Sequence, residues 1–223
     1  MTEKSTVTQS EFNLISTAIQ ALLIKTAHTK KLEASCIHFA SFGAAIMKHQ
    51  LNISCRTVAG AWFLHHPDGQ RVLGFGKKEG DNIRTKKTGF HMWVQTKTHI
   101  IDFMSPLYPE IFSEAHSAAP IQRRMLQIPL EDDAQNKEDF NQGDPLMALP
   151  DARLTRVLGE GLAKDIGSED LIKALLRWWP NLQKQPYSSL VLATNRGERL
   201  EILPTGHQAN GIWKGPSVIT QVI

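Results

Sequence analysis

Apolar residues recur at helical spacing from Phe12 through Ile15, Ile19, Leu22 and Leu23, behind Thr8 and Glu11, which stand three residues apart as in a capping box. The pattern predicts a first helix that runs to about Thr26. A polar stretch, 28–33, separates it from a second run, Ser35 to about His49, where Phe39, Phe42, Ala45 and Ile46 form one apolar stripe. Cys36 falls in the first turn of that helix. From Ile53 to Leu64 helical spacing gives way to Thr, Val, Ala, Trp and Phe, then His66-Pro67-Asp68-Gly69, then Arg71 to Phe75. This predicts a β-hairpin with a Pro-Asp-Gly turn. Gly76 to Thr88 is rich in Lys, Arg and Gly and reads as an exposed loop. A second hairpin follows, with Gly89 to Val94 as one arm and His99 to Phe103 as the other.

Pro106 and Pro109 end the second arm, and Met125 to Ile128 suggests another strand. Glu131 to Pro145 is acidic, amide-rich and nearly free of large apolar residues, as a linker is. Beyond it, Ala152 to Lys164 and Ser168 to Trp179 read as helices, the second capped by Ser168 and stopped by Pro180. Ser189 to Ala193 and Leu200 to Leu203, joined around Asn195-Arg196-Gly197, predict a closing hairpin. The expected class is α+β: a core over 1–130, a polar linker over 131–150, and an α+β extension over 151–223 that packs separately or on the same domain.

Composition narrows the functions. Across 223 residues, 25 Lys and Arg against 22 Asp and Glu leave a net charge of +3, too slight to argue for nucleic acid or a membrane surface. The first ten residues lack the pattern of a secretory signal. Ile15 to Ile24 is far shorter than the ~20 residues of a membrane span. Two cysteines cannot make a disulfide framework, so reduced thiols in a cytoplasm are expected.

The chemistry then centres on Cys36, His91 and Asp102. A thiol attacks as its thiolate, and a helix N-terminus and a nearby imidazolium both favour the anion. Cys36 has the first by position and needs His91 for the second. A proton-shuttling histidine must in turn be held in one tautomer, which a carboxylate beside its other nitrogen does. Loop length decides whether Asp102 can do so. A two-residue loop at Lys97 and Thr98 makes His91 the diagonal neighbour of Asp102 on one face, with Trp93 directly opposite. A four-residue loop sets His91 itself opposite Asp102, and a three-residue loop sends Asp102 to the other face.

Ser35-Cys36-Ile37-His38-Phe39-Ala40 opening a helix, Arg56 to Gly60 in a strand, Phe90-His91-Met92-Trp93-Val94, and Ile101-Asp102 together resemble the transglutaminase-like branch of papain-like cysteine hydrolases. The resemblance covers about a third of the chain, Leu32 to Pro106, and suggests a bacterial branch of that superfamily. It implies a catalytic helix packed on an antiparallel sheet, with Cys36, His91 and Asp102 as catalytic residues and Ser35 and Trp93 beside them. It also implies acyl transfer on a peptide, protein or small amide. Water as second substrate gives a protease, peptidase or deamidase, and an amine gives a cross-linking transferase. Two departures stand out. Lys30, Lys31 and Glu33 occupy the region where papain-like proteases place an oxyanion-hole glutamine, and the arginine-glycine motif of arylamine acetyltransferases is missing. The rival reading is a non-catalytic module that holds a peptide or partner in the same cleft.

Other features carry less. Cys55 shares a face with Ile53 and Thr57 and reads as core. Nine histidines invite a metal, yet neither a His-Glu-x-x-His run nor a Cys-x-x-Cys pair is present, so no metal or cofactor is expected. His65-His66 reads as a turn, and the basic stretch Lys77 to Lys87 as a solvated loop. Gly74-Phe75-Gly76 is too short to cradle phosphate. Trp178-Trp179 reads as core or subunit interface.

Overall fold

In the computed structural model, described over residues 4–28, 35–66, 71–79, 82–84, 89–112, 120–134, 140, 144–193 and 197–214, helices α1 (Gln9–Lys25) and α2 (Cys36–His49) lie against each other. The capping box forms as expected: Glu11 N donates to Thr8 Oγ1 (3.2 Å) and Thr8 N to Glu11 Oε2 (2.8 Å). The stripe from Phe12 to Leu23 is buried, and so are Phe39, Phe42 and Ile46 of α2.

The main sheet is antiparallel and built on one long strand, β1 (Cys55–His65). Strand β5 (His91–Thr96) pairs along its first half, while β2 (Val72–Phe75) and β8 (Leu146–Pro150) pair along its second. The order continues outward from β5 through β6 (His99–Asp102) to β7 (Leu126–Pro129). Gly60, where β5 and β8 both meet β1, must be glycine, because a Cβ there would run into the Leu149 carbonyl. The span 76–88, read as a loop, contains two short strands among its described residues. These, β3 (Lys77–Glu79) and β4 (Asn82–Arg84), pair as a small separate ribbon, held by backbone bonds that composition does not encode. The turn at 67–70 lies outside the described residues.

Alternating side chains give the sheet two apolar faces. Met92, Val94 and Ile101 face α1 and α2, whereas Trp62, Trp93, Ile100 and Leu126 pack on the other side. After β6 a 3₁₀ turn (Ser105–Leu107) leads into the short helix α3 (Tyr108–Ile111), which brings Tyr108 and Phe112 onto that second face.

The span read as linker takes part in this core. Its last five residues are β8, Phe140 is fully buried, and Asp133 Oδ1 accepts from Ala148 N (2.8 Å). Scattered apolar residues among acids and amides hid this, since one deeply placed Phe and a five-residue strand anchor the segment.

Helices α4 (Ala152–Ala163) and α5 (Ile166–Lys184) then follow. The latter begins earlier and ends later than expected. Asp165 caps it and Ser168 lies inside the first turn, bonded to Asp165 (2.6 Å). Pro180 lies within the helix; it lacks the N–H that would bond Leu176 O, and Gln50 Nε2 donates to that carbonyl instead (3.3 Å). Trp178 and Trp179 are core, and Trp178 Nε1 donates to Ser188 O.

The closing hairpin forms as β9 (Leu190–Ala193) and β10 (Arg199–Ile202). The chain then returns to the core, where Trp213 N donates to Met125 O and Trp213 Nε1 to His65 O. The fold is α+β, with five α-helices among the described residues. No helix among them is long and apolar enough to cross a membrane.

Candidate active site

Three elements deliver the site. Cys36 is the first residue of α2, which packs across β5, while His91 opens β5 and Asp102 closes β6. The β5–β6 hairpin pairs Val94 with Ile101 and Gln95 with Ile100, leaving the two-residue loop Lys97-Thr98. That register sets Trp93 beside Asp102 and His91 one diagonal step away, the first of the three arrangements open from sequence.

The imidazole and the carboxylate meet at hydrogen-bond distance. His91 Nε2 lies 3.0 Å from Asp102 Oδ2. The Cys36 thiol lies near enough to the same ring to act on its charge, while the buried Nδ1 makes no hydrogen bond. All three groups are buried, with Cys36 5% exposed, His91 0% and Asp102 1%.

Burial pushes the His91 pKa down, but the charge of Asp102, its hydrogen bond and then the Cys36 thiol push it up further, to about 9. The ring is therefore held as an imidazolium at neutral pH. Asp102 accepts two more hydrogen bonds, from Met104 N to Oδ1 (2.9 Å) and from the Tyr108 hydroxyl to Oδ2 (2.5 Å). Burial first, and then the charge of Asp102, raise the Tyr108 phenol well above its ordinary range, so it stays a donor.

Sequence reasoning missed Tyr108. It stands in the Pro-rich stretch after β6 that signalled only a strand end. A tyrosine six residues beyond a buried carboxylate was the available clue, and the helical turn that folds it back was not readable.

The rings over His91 also differ from expectation. Phe75 of β2 stacks on the imidazole (centroids 4.6 Å apart, planes at 13°) and Trp62 of β1 lies 5.1 Å away. Trp93 sits one layer further in, against Trp62 (5.2 Å). Ser35 precedes α2 and is fully buried. Its side chain makes no capping bond, and its carbonyl accepts from His38 N (2.9 Å) and Phe39 N (3.0 Å).

Cys55 is half-buried against α2, with Sγ 3.7 Å from Ala44 O, and burial raises its pKa. Both cysteines are free thiols. His65 and His66 do not form a site with Cys36. His65 stacks on Phe140 (4.0 Å), and His66 lies 3.2 Å from Arg71. Among the described residues, His28, His38 and Asp165 could hold a metal ion, a grouping that the sequence did not suggest.

Residues 8–213 match the model of a family described as a protein of unknown function, DUF2026. The chain belongs to the DUF2026 family. Every element that builds the site falls within the matched span. A crystal structure of a genomics target is similar at 23% identity and a TM-score of 0.78, over 95% of this chain and 99% of that one. At that identity the likeness concerns the fold alone. No curated protein matches the chain.

Proposed function

We propose that this DUF2026 chain is a thiol-dependent acyl-transfer enzyme that hydrolyses an amide or peptide bond. The observation that carries the reading is the 3.0 Å His91–Asp102 contact with the Cys36 thiol beside the same ring. Three residues from distant segments, each of a type that thiol catalysis needs, are gathered at one place, with His91 and Asp102 hydrogen-bonded. The finer fold reading that accompanies it is the papain-like or transglutaminase-like arrangement, in which a helix opening on the nucleophile packs on the strands that carry its partners.

In the proposed cycle the Cys36 thiolate forms an S–C bond at the carbonyl carbon, and the carbonyl electron pair moves onto oxygen. The N–H of Cys36, which helix geometry leaves without an intrahelical partner, faces that developing charge. The His91 imidazolium gives its proton to the leaving nitrogen as the C–N bond breaks, leaving a thioester on Cys36. Water then loses a proton to His91, attacks the thioester, and releases the acid and the thiol. An amine in place of water would make the same chain a transferase. The substrate is a peptide, protein or small amide, and neither nucleic acid nor a membrane is required. A catalytic thiol suits a reducing compartment such as the cytoplasm.

Burial favours a second reading. With the thiol 5% exposed, the scaffold could keep the three residues as a packed polar network and bind a partner elsewhere on its surface. Trapping separates the two. Incubation with an activated peptide ester and an amide panel, quenched in acid and mapped by mass spectrometry, is expected to place an acyl group on Cys36. That adduct should be absent from Cys36→Ala. Partner binding that survives Cys36→Ala, with no adduct and no turnover, would establish the binding module instead.

A further inference from the structure

A second cluster of chemistry-bearing side chains lies where three helix ends meet, independent of the acyl-transfer reading. His28 follows the end of α1, His38 is in the first turn of α2, and Asp165 is the N-cap of α5. One ligand atom from each lies within 4.8 Å of the others. We infer that His28, His38 and Asp165 form a binding site for one divalent transition-metal ion of the zinc class, which ties the three helix ends together.

The ligand types suit that ion. Two imidazoles and one carboxylate are a borderline donor set, and tetrahedral zinc accepts three protein ligands with a fourth position left for water. Zinc bonds of about 2.0–2.1 Å put neighbouring ligand atoms about 3.3 Å apart. His28 Nε2 and Asp165 Oδ2 are already 3.2 Å apart. No pair in the group therefore needs more than roughly 1.5 Å of closure, within reach of a side-chain rotation.

Three further observations point the same way. His38 Nδ1 is buried without a hydrogen-bond partner, although the ring lies edge-on to His28 with centroids 5.0 Å apart. Buried ring nitrogens ordinarily find partners, and a ligated ion is one.

The placement of His28 is the second observation. Ala27 adopts φ 49°, a left-handed conformation uncommon for a residue with a Cβ, and this turns His28 back over the start of α5. Gly167 leaves room for it, since a Cβ there would come within 3.1 Å of His28 Cε1. The third is the anchoring of Asp165. Its Oδ1 accepts from Gly167 N (3.1 Å), which leaves Oδ2 directed at His28. The Ser168 hydroxyl bridges the pair, 2.9 Å from His28 Nε2 and 2.6 Å from Asp165 Oδ2, where an ion would draw both ligands.

The test uses full-length protein with any histidine tag removed and residual metal stripped with chelator. Zinc is titrated in competition with a chromophoric chelator, and cobalt(II) serves as the spectroscopic probe. Wild-type protein is expected to bind one zinc per chain, to gain melting temperature on binding, and to give tetrahedral cobalt bands in the visible range. No thiolate-to-cobalt charge-transfer band should appear. Cys36→Ala should bind equally well, which excludes the thiol site as the ligand source. His38→Ala and His28→Ala should weaken binding by about 100-fold or more. His38→Gln, which keeps much of the ring's bulk, serves if the alanine variant does not fold. Wild-type affinity no greater than that of a His28→Ala/His38→Ala double variant would overturn the inference, as would metal binding lost in Cys36→Ala.

Discussion

Tyr108→Phe isolates one hydrogen bond at the centre of the site. The phenol donates to Asp102 Oδ2 at 2.5 Å, and its ring packs among Phe75, Phe112 and Trp213 at centroid distances of 6.2, 5.5 and 6.1 Å. Phenylalanine keeps that ring contact and removes only the hydroxyl, so no cavity term enters. A buried hydrogen bond to a charged group contributes about 1.5–3 kcal/mol. Asp102 retains His91 Nε2 and Met104 N, so the loss falls inside that range rather than the larger one for a carboxylate left alone. Urea unfolding at pH 7 should show the destabilisation with an unchanged slope, and the melting temperature should fall by roughly 3–12 °C for a chain of this size. Having lost a donor, the carboxylate should hold the imidazolium more strongly, so NMR titration should find His91 at or above its wild-type value. Destabilisation under about 0.5 kcal/mol, or a His91 titration that moves down, would refute the reasoning.

Four other outcomes follow from the structure. His91 is raised from 6.5 to about 9 by folding, so its stabilisation is fully present below about pH 6.5 and is lost as pH climbs through about 9; urea midpoints across that range should fall. In Asp102→Asn the raising charge is gone while burial remains, so that alkaline loss should disappear. Gln50→Ala should cost about 0.5–1.5 kcal/mol in the natural chain and close to nothing in a Pro180→Ala background, where the helix supplies its own donor to Leu176 O; a double-mutant cycle reads the difference. Gly60→Ala drives a methyl group into the Leu149 carbonyl and should lower stability by about 1–3 kcal/mol or more, measured by denaturant unfolding.

Local signals carried much of the architecture. The capping box at Thr8 and Glu11, the stripe through α2 and the alternation in β5 and β6 each encode an element whose apolar side must be buried, so pattern and structure agree. The hairpin at Lys97-Thr98 shows how far such reasoning reaches. Sequence reduced the relation of His91 to Asp102 to three registers, and the paired backbone selects the diagonal one. Where stabilisation comes from distant groups, pattern fails. Pro180 stays inside a helix where Gln50, just past the end of α2, satisfies the orphaned carbonyl. Phe140 and β8 join the core from a stretch whose composition reads as linker. Tyr108 reaches Asp102 only through the fold of a short 3₁₀ turn, and Asp165 stands beside His28 and His38 only because α5 packs on α1 and α2.

Activation of Cys36 by His91 is measured directly by alkylation. Wild-type and His91→Ala protein are treated with iodoacetamide at pH 6 to 7, and the labelled peptides are quantified by mass spectrometry with Cys55 as internal reference. Cys36 should be alkylated about tenfold faster or more in the wild-type chain than in His91→Ala, with Cys55 unchanged. Equal Cys36 rates in the two proteins, or labelling that occurs only after unfolding, would contradict it.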